Sequence, residues 1–385
     1  MANGTFCSHW TGPNPEPERA VSLGRETLIW AALFLALCVG LYVLGSTVTP
    51  FAAGIALGYL LDPVVNRLER LGLNRLGASL VILVVFASVF TLGLILVVPI
   101  LGEQLVNFAA QLPDYAMRLQ TLAINEGNAL IEKYAHGWIN AFGLNEEQVR
   151  KPIGDFVAQG AQWLVNALRS LVSDGGAVFS FFSLLVITPV VAFYILLDWD
   201  RMVAEIDRWL PLDHRDRLRQ IAHEINLAIA GFIRGQSLVA LFLGLWYGIG
   251  LTLVGLDYGL LIGVVGGLLS FVPYLGSLTV LLLSIGVSLV QGWPDLSLFF
   301  MAVGVVVVGQ FLEGNVITPK LVGDSVGLHP VWLMFALLAF GKLFGFVGLL
   351  VAVPVAAAIG VVARHIVALY LDSPLYRGHA AAKEP

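Results

Sequence analysis

LLIGVVGGLLSFVPYLGSLTVLLLSIGVSLV (Leu260–Val290) and VWLMFALLAFGKLFGFVGLLVAVPVAAAIGVVA (Val331–Ala363) are apolar runs of 31 and 33 residues, the second carrying one charge, Lys342. A straight helix crosses a bilayer with about 20 residues, so each run is too long for one crossing. Both are interrupted: the first at Pro273 and Gly276, the second at Gly341, Lys342 and Gly345. They also resemble each other. Leu268-Leu269-Ser270-Phe271 aligns with Leu337-Leu338-Ala339-Phe340 at an offset of 69 residues, and the same offset brings Gly276 onto Gly345 and Leu281 onto Leu350. One apolar run, Leu296–Glu313, lies between them. This pattern predicts two broken, re-entrant hairpins that enter from opposite sides as an inverted repeat. Irregular backbone at membrane depth frees N–H and C=O groups that protein, water or a solute must satisfy, so paired breaks point to a transport site.

The rest of the chain fits a membrane. Of its 385 residues 58% are hydrophobic and 12% charged, with a mean hydropathy of +0.85. That is about half the charge of a soluble domain. Further spans are expected at Leu28–Thr47, Pro50–Val65, Ala78–Leu101, Ala177–Leu197 and Ser237–Leu256. Leu28–Leu44 reads as a retained span, because no small-residue cleavage pattern closes it. The fold class is therefore an all-α polytopic membrane protein of about six to eight spans. Its segments are a disordered tail (1–25), N-terminal spans (26–101), an amphipathic helical segment (102–176), a transport core (177–370) with a polar helix at 198–234, and a C-terminal tail (371–385).

Arginine placement orients the chain. Residues 63–77 hold three arginines and one acid, and residues 198–234 hold six arginines. Residues 102–176 hold five Lys and Arg against eight acids. The N-terminus, residues 66–77, residues 198–234 and the C-terminus are placed in the cytoplasm, and 102–176 outside. The amphipathic helices of 102–176 offer contacts for a homo-oligomer. A net charge of −5 calls for no nucleic-acid partner.

Ionisable groups in lipid are functional candidates. Glu313 ends a 17-residue apolar run, in Gln310-Phe311-Leu312-Glu313-Gly314-Asn315. Gln310 and Glu313 share a helix face, and the carboxylate can carry a proton or bind sodium. Lys342, at the expected second tip, can pair with Glu313, attract an anionic solute or reach to water. Asp62-Pro63 reads as an N-cap followed by the first helical residue. Pro99 reads as a helix end. The candidate site is thus Pro273 and Gly276 at one tip, Gly341, Lys342 and Gly345 at the other, and Gln310, Glu313 and Asn315 between them.

Other chemistries lack their residues. Gly323-Asp324-Ser325-Val326-Gly327 matches a nucleophile-elbow pattern but has no strand before it. No phosphate-binding loop or H-E-x-x-H occurs. Cys7 and Cys38 form no framework. No catalytic residue, metal or cofactor is expected.

Several residues resemble the autoinducer-2 exporter family, the PerM-type bacterial permeases, over about 27–377 and most weakly in 102–176. They are Arg234-Gly235-Gln236, Phe271-Val272-Pro273-Tyr274-Leu275-Gly276, the series Gln310, Glu313, Asn315, Pro319, Gly323 and Pro330, and Phe344-Gly345-Phe346-Val347-Gly348-Leu349-Leu350 with Ala352, Val353 and Pro354. The resemblance implies a multi-span inner-membrane secondary transporter, not an ATPase, that exports a small, sugar-like solute. Some members are similar to sodium/proton antiporters in activity. Ser277 and Lys342 depart from the family pattern, a proline and a small residue being common there. The alternatives are a cation/proton antiporter and, in another class, a membrane scaffold without transport.

Single cysteines should be labelled from outside at positions 120–150 and from the cytoplasm at 198–234 and both termini. Labelling of 120–150 only from the cytoplasm reverses the orientation.

Overall fold

The computed structural model describes residues 48–130, 175–210, 215–321 and 327–372, with positions 32, 40, 155, 159, 160, 162, 212 and 376. The expected span at 28–47, both tails, most of 131–174 and the Gly323–Val326 loop lie outside the described residues. The architecture below is that of the unit Ser46–Pro385.

Helices follow one another without a strand among the described residues: α1 (Thr49–Arg70), α2 (Arg75–Leu130), α3 (Gly175–Arg208), α4 (Arg215–Leu253), α5 (Gly259–Leu269), α6 (Leu275–Gly292), α7 (Ser297–Leu312), a π-helical turn (Glu313–Ile317), α8 (Thr318–Leu321) and α9 (Pro330–Asp372). Six helices are long and apolar enough to cross a membrane, and Gly259–Leu269 and Pro330–Gly345 are shorter apolar helices. The protein is all-α and multi-pass.

Two prolines behave differently from the sequence expectation. Pro63 lies inside α1, so Asp62 is not an N-cap. Leu57, Leu61 and Val65, on one face, pack with Ala192 and Leu196 of α3, and this burial carries the helix past the proline. Pro63 has no N–H for the carbonyl of Tyr59 one turn earlier. The Arg234 Nε–H of α4 donates to that oxygen instead, at 2.9 Å. Pro99 likewise does not end its helix, for α2 runs through both Pro99 and Pro113. Phe108, Leu112 and Tyr115 beyond it are buried in the main core, so docking of that face sustains the helix.

The packing divides into two apolar clusters. One joins α1, α3 and the start of α2. The other surrounds α4 and draws in α2, α5, α6, α7 and Val353 of α9. Near the first cluster, Arg75 donates to the Leu196 carbonyl (2.8 Å) and pairs with Asp200 (3.2 Å) and Glu69 (3.5 Å). At the α3–α4 turn Asp207 receives Arg215 (2.6 Å) and Arg219 (2.7 Å). In the loop before α7, the Ser297 N–H and hydroxyl donate to Asp295 and hold its carboxyl below the usual range.

α4 and α5 meet backbone to backbone. A Cβ at Gly263 would overlap Tyr247 and Gly248, and one at Gly267 would overlap Gly244. The glycines recur every four residues on both helices, which places them on facing stripes. Dispersion between the two backbones replaces side-chain interdigitation. Gly263→Val should therefore lower stability in detergent by roughly 2 kcal/mol or more, as overpacking does. Gly93→Ala, where a Cβ meets open space, is the control and should be neutral or slightly stabilising. Equal melting temperatures for the two variants would refute the backbone contact.

Candidate functional site

Both long apolar runs are broken within the expected stretches, the first at 270–274, just before Gly276, and the second at Gly345, while Gly341 and Lys342 are helical. α5 ends at Leu269, and α6 starts at Leu275 after Tyr274, whose φ is +68°. α9 is interrupted at Gly345, with φ +61° and ψ −140°. An ordinary side chain is disfavoured at positive φ, and glycine is not.

Each break turns the chain back on itself. In the first hairpin the Gln291 amide closes the mouth: its Oε1 accepts from the Asp257 N–H and its Nε2 donates to the Gly255 carbonyl, both at 2.9 Å. Deeper in, a Cβ at Gly266 would strike Val280, and one at Gly276 would strike Ser270. In the second hairpin a Cβ at Gly348 would strike the Phe340 carbonyl, and one at Gly341 would meet Leu349. In an unbroken helix these pairs would stand about 12 Å apart. At its mouth Arg364 donates to the Gly327 carbonyl (3.4 Å) and Leu328 lies against Gly360.

The two mouths lie at opposite ends of α4. The first sits by Leu251 at the C-terminal end, where a Cβ at Gly259 would touch Leu251 and Thr252. The second sits by Glu224 near the N-terminal end, where His365 approaches within 3.7 Å. Between Glu224 and Leu251 a helix rises about 40 Å. The second leg of each hairpin, Leu275–Gly292 or Val347–Leu371, is itself long enough to cross a membrane.

The first tip is held by α4. Buried Gln236 donates from Nε2 to the Ser270 carbonyl at 2.5 Å, and the Ser270 hydroxyl donates to Gly266 at 2.8 Å. The Ser270 carbonyl lies past the end of α5, so the glutamine supplies the donor the broken helix lacks. Pro273 is half-buried and Gly276 buried beside this clamp.

Glu313 opens the π-helical turn. Such turns recur at functional sites. It is half-buried and accepts from Gln310 Nε2 at 3.2 Å. The same nitrogen donates to the hydroxyl of Tyr247 on α4 at 2.9 Å. Asn315 turns back to donate to the Phe311 carbonyl at 3.0 Å. Lys342 is exposed. Among the described residues no ion pair or hydrogen bond joins Lys342 to Glu313, or Glu313 to either tip. The structure thus groups Gln310 and Glu313 with Tyr247, and Pro273 and Gly276 with Gln236 and Ser270. Gly341 and Gly345 belong to the second hairpin alone.

Three residues of these groups escape a reading of the apolar pattern: Tyr247, Gln236 and Ser270. Gln236 stands in the Arg234-Gly235-Gln236 motif, which is its one local signal. Among the described residues no cluster of His, Cys, Asp and Glu is suited to a metal.

Comparison with known proteins agrees with this architecture. The model of the AI-2E family transporter matches residues 31–368. The chain belongs to the AI-2E transporter family. It is similar to the candidate transport protein YrrI of Bacillus subtilis, at 27% identity over 358 residues, covering 88% of this chain and 96% of the relative. The candidate permease PerM of Escherichia coli K12 is 29% identical over 331 residues, covering 85% and 90%. The family of this AI-2E transporter is one of transporters and permeases.

Replacing Gln236 by Leu leaves the Ser270 carbonyl buried and unpaired, which costs about 1–3 kcal/mol. The variant should melt earlier and expose the tip, read as faster alkylation of a cysteine at Ser277. Unchanged melting and alkylation would show that the clamp carries no weight.

Proposed function

We infer that this protein is a secondary transporter of the inner membrane that exports a small, hydrophilic, autoinducer-2-like solute in exchange for protons or sodium. The observation that carries the reading is the pair of broken hairpins with mouths at opposite ends of α4. Each has an irregular tip inside an apolar segment, and a carboxylate stands on the π turn between them in sequence. A membrane scaffold needs none of these. α5 has 11 residues, about 16 Å of helix. That is about half the hydrocarbon thickness, which supports a re-entrant first hairpin. Pro273, Gly276, Gly341 and Gly345 shape the tips in this reading. Gln310 and Asn315 offer neutral ligands, and Glu313 is the coupling group. Any role of Lys342, which is exposed and departs from the family pattern, is private to this chain. The arginine-rich 63–77 and 198–234 segments support cytoplasmic termini.

Glu313 also favours a second reading, a cation/proton antiporter. Its carboxylate makes no ion pair among the described residues, so it is free to exchange a proton for a cation.

One experiment tests the reading. Protein in proteoliposomes is given candidate solutes under imposed proton or sodium gradients. Glu313→Gln keeps the shape and removes the charge. It should abolish gradient-driven accumulation while leaving insertion and folding intact, and Glu313→Asp should retain part of it. Full, gradient-driven transport by Glu313→Gln would remove Glu313 as the coupling site. Cation-driven proton flux without solute movement would select the antiporter.

A further inference from the structure

Tyr247 occupies an unusual position. It is fully buried, about two turns before the C-terminal end of α4. Its backbone lies against Gly263 of α5, so tightly that a Cβ on Gly263 would overlap it. Its ring lies against Gly309 of α7, where a Cβ would overlap the ring and hydroxyl. One residue therefore touches the first hairpin with its main chain and the Glu313 segment with its side chain. A ring held only for packing needs no oxygen there, and burying a phenol without a partner is costly. Its partner is Gln310, which bonds Glu313 with the same nitrogen.

We propose that Tyr247 is the positioning residue through which the protonation state of Glu313 reaches the first hairpin. The inference rests on the reading of Glu313 as the coupling group. The chemistry is a reversal of two hydrogen bonds. With Glu313 charged, the Gln310 amide nitrogen spends its two hydrogens on Glu313 and on the Tyr247 oxygen. When Glu313 takes a proton from water, its carboxyl becomes a donor. Gln310 then turns its Oε1 toward it and needs a donor on the other side. A phenol hydroxyl donates as well as it accepts, so Tyr247 satisfies both states. Phenylalanine satisfies neither. Tyr247 is the titratable group that faces Glu313 from α4, and no Lys, Arg or His lies within ion-pair distance of the carboxylate among the described residues. The reversal turns the phenol, and the close fit of ring, Gly309 and Gly263 passes that movement to α5.

The test uses the full chain in proteoliposomes, with Cys7 and Cys38 replaced by Ser and a single cysteine at Ser277, in the first turn of α6. Its alkylation by a membrane-impermeant maleimide is followed from mildly acid to mildly alkaline pH, each rate being divided by that of the denatured protein at the same pH so that ionisation of the thiol cancels. The expected result is a pH-dependent rate in this background, a flat profile in Glu313→Gln, and a profile in Tyr247→Phe that is flattened or has its midpoint moved by about half a pH unit or more, the effect of one lost hydrogen bond. Gln310→Leu removes the middle group, should reproduce the Tyr247→Phe profile, and should add nothing to it in the double variant. A Tyr247→Phe profile that superimposes on the parent, with Glu313→Gln flat, overturns the role of Tyr247 and leaves Glu313 as the coupling group. A Glu313→Gln profile like the parent's overturns both. A parent rate that does not change with pH also overturns the proposal.

Discussion

The direct contact of α4 with α5 is the constraint on which the rest of the structure depends. In lipid no hydrophobic force drives helices together, so close dispersion contact must. Gly244 and Gly248 on one helix, and Gly263 and Gly267 on the other, remove the side chains that would keep the backbones apart. This fixes where α5 can run. Because α5 is short and ends beside α4, the turn at 270–274 must form there, and α6 must return along α5. The first hairpin is thus a consequence of a glycine stripe as much as of its own proline.

The same helix repays the backbone groups that irregular geometry leaves bare. Arg234 takes the Tyr59 carbonyl freed by Pro63, and Gln236 takes the Ser270 carbonyl beyond α5. Trp246 donates from its indole to the Val305 carbonyl at 3.1 Å. Tyr247 receives Gln310. Within about four turns, from Arg234 to Tyr247, α4 offers one polar group to each neighbour that needs it, while the residues between Ser237 and Trp246 are apolar or glycine. An unpaired carbonyl in this setting costs about 1–3 kcal/mol, so each of these side chains stabilises a departure from regular helix that the fold requires. From the other direction, Gln104 of α2 accepts the Leu261 N–H at the start of α5 (3.0 Å).

The division into two apolar clusters gives this arrangement its mechanical character. α1 and α3 pack chiefly on each other; their polar ties to α4 are Arg234, which reaches both the Tyr59 carbonyl and Asp62 (3.5 Å), and, at the α3–α4 turn, Asp207 of α3 with Arg215 and Arg219. The first hairpin packs on α4, α2 and α7, and the second on α4. Motion of α5 against α4 would slide glycine surfaces that carry no interlocking side chains. It would break few hydrogen bonds apart from the Gln236 clamp and the mouths.

The membrane class, the six long apolar helices, and breaks near Gly276 and Gly345 were legible in the sequence. Each is largely a local property: an apolar run must be satisfied by lipid, and a run too long for one crossing gives way at the prolines and glycines within it. The pairing of Gln310 with Glu313 was legible too, being set by helical spacing. Other features were decided only by the tertiary structure. Pro63 and Pro99 continue their helices because distant apolar faces bury the residues around them and, at Pro63, because an arginine 171 positions later takes the freed carbonyl. The union of Tyr247 with Gln310, and of Gln236 with Ser270, joins residues 63 and 34 positions apart. No periodicity along one helix encodes such a contact. It exists because glycines let α4, α5 and α7 approach closely enough for one polar side chain to reach the next helix.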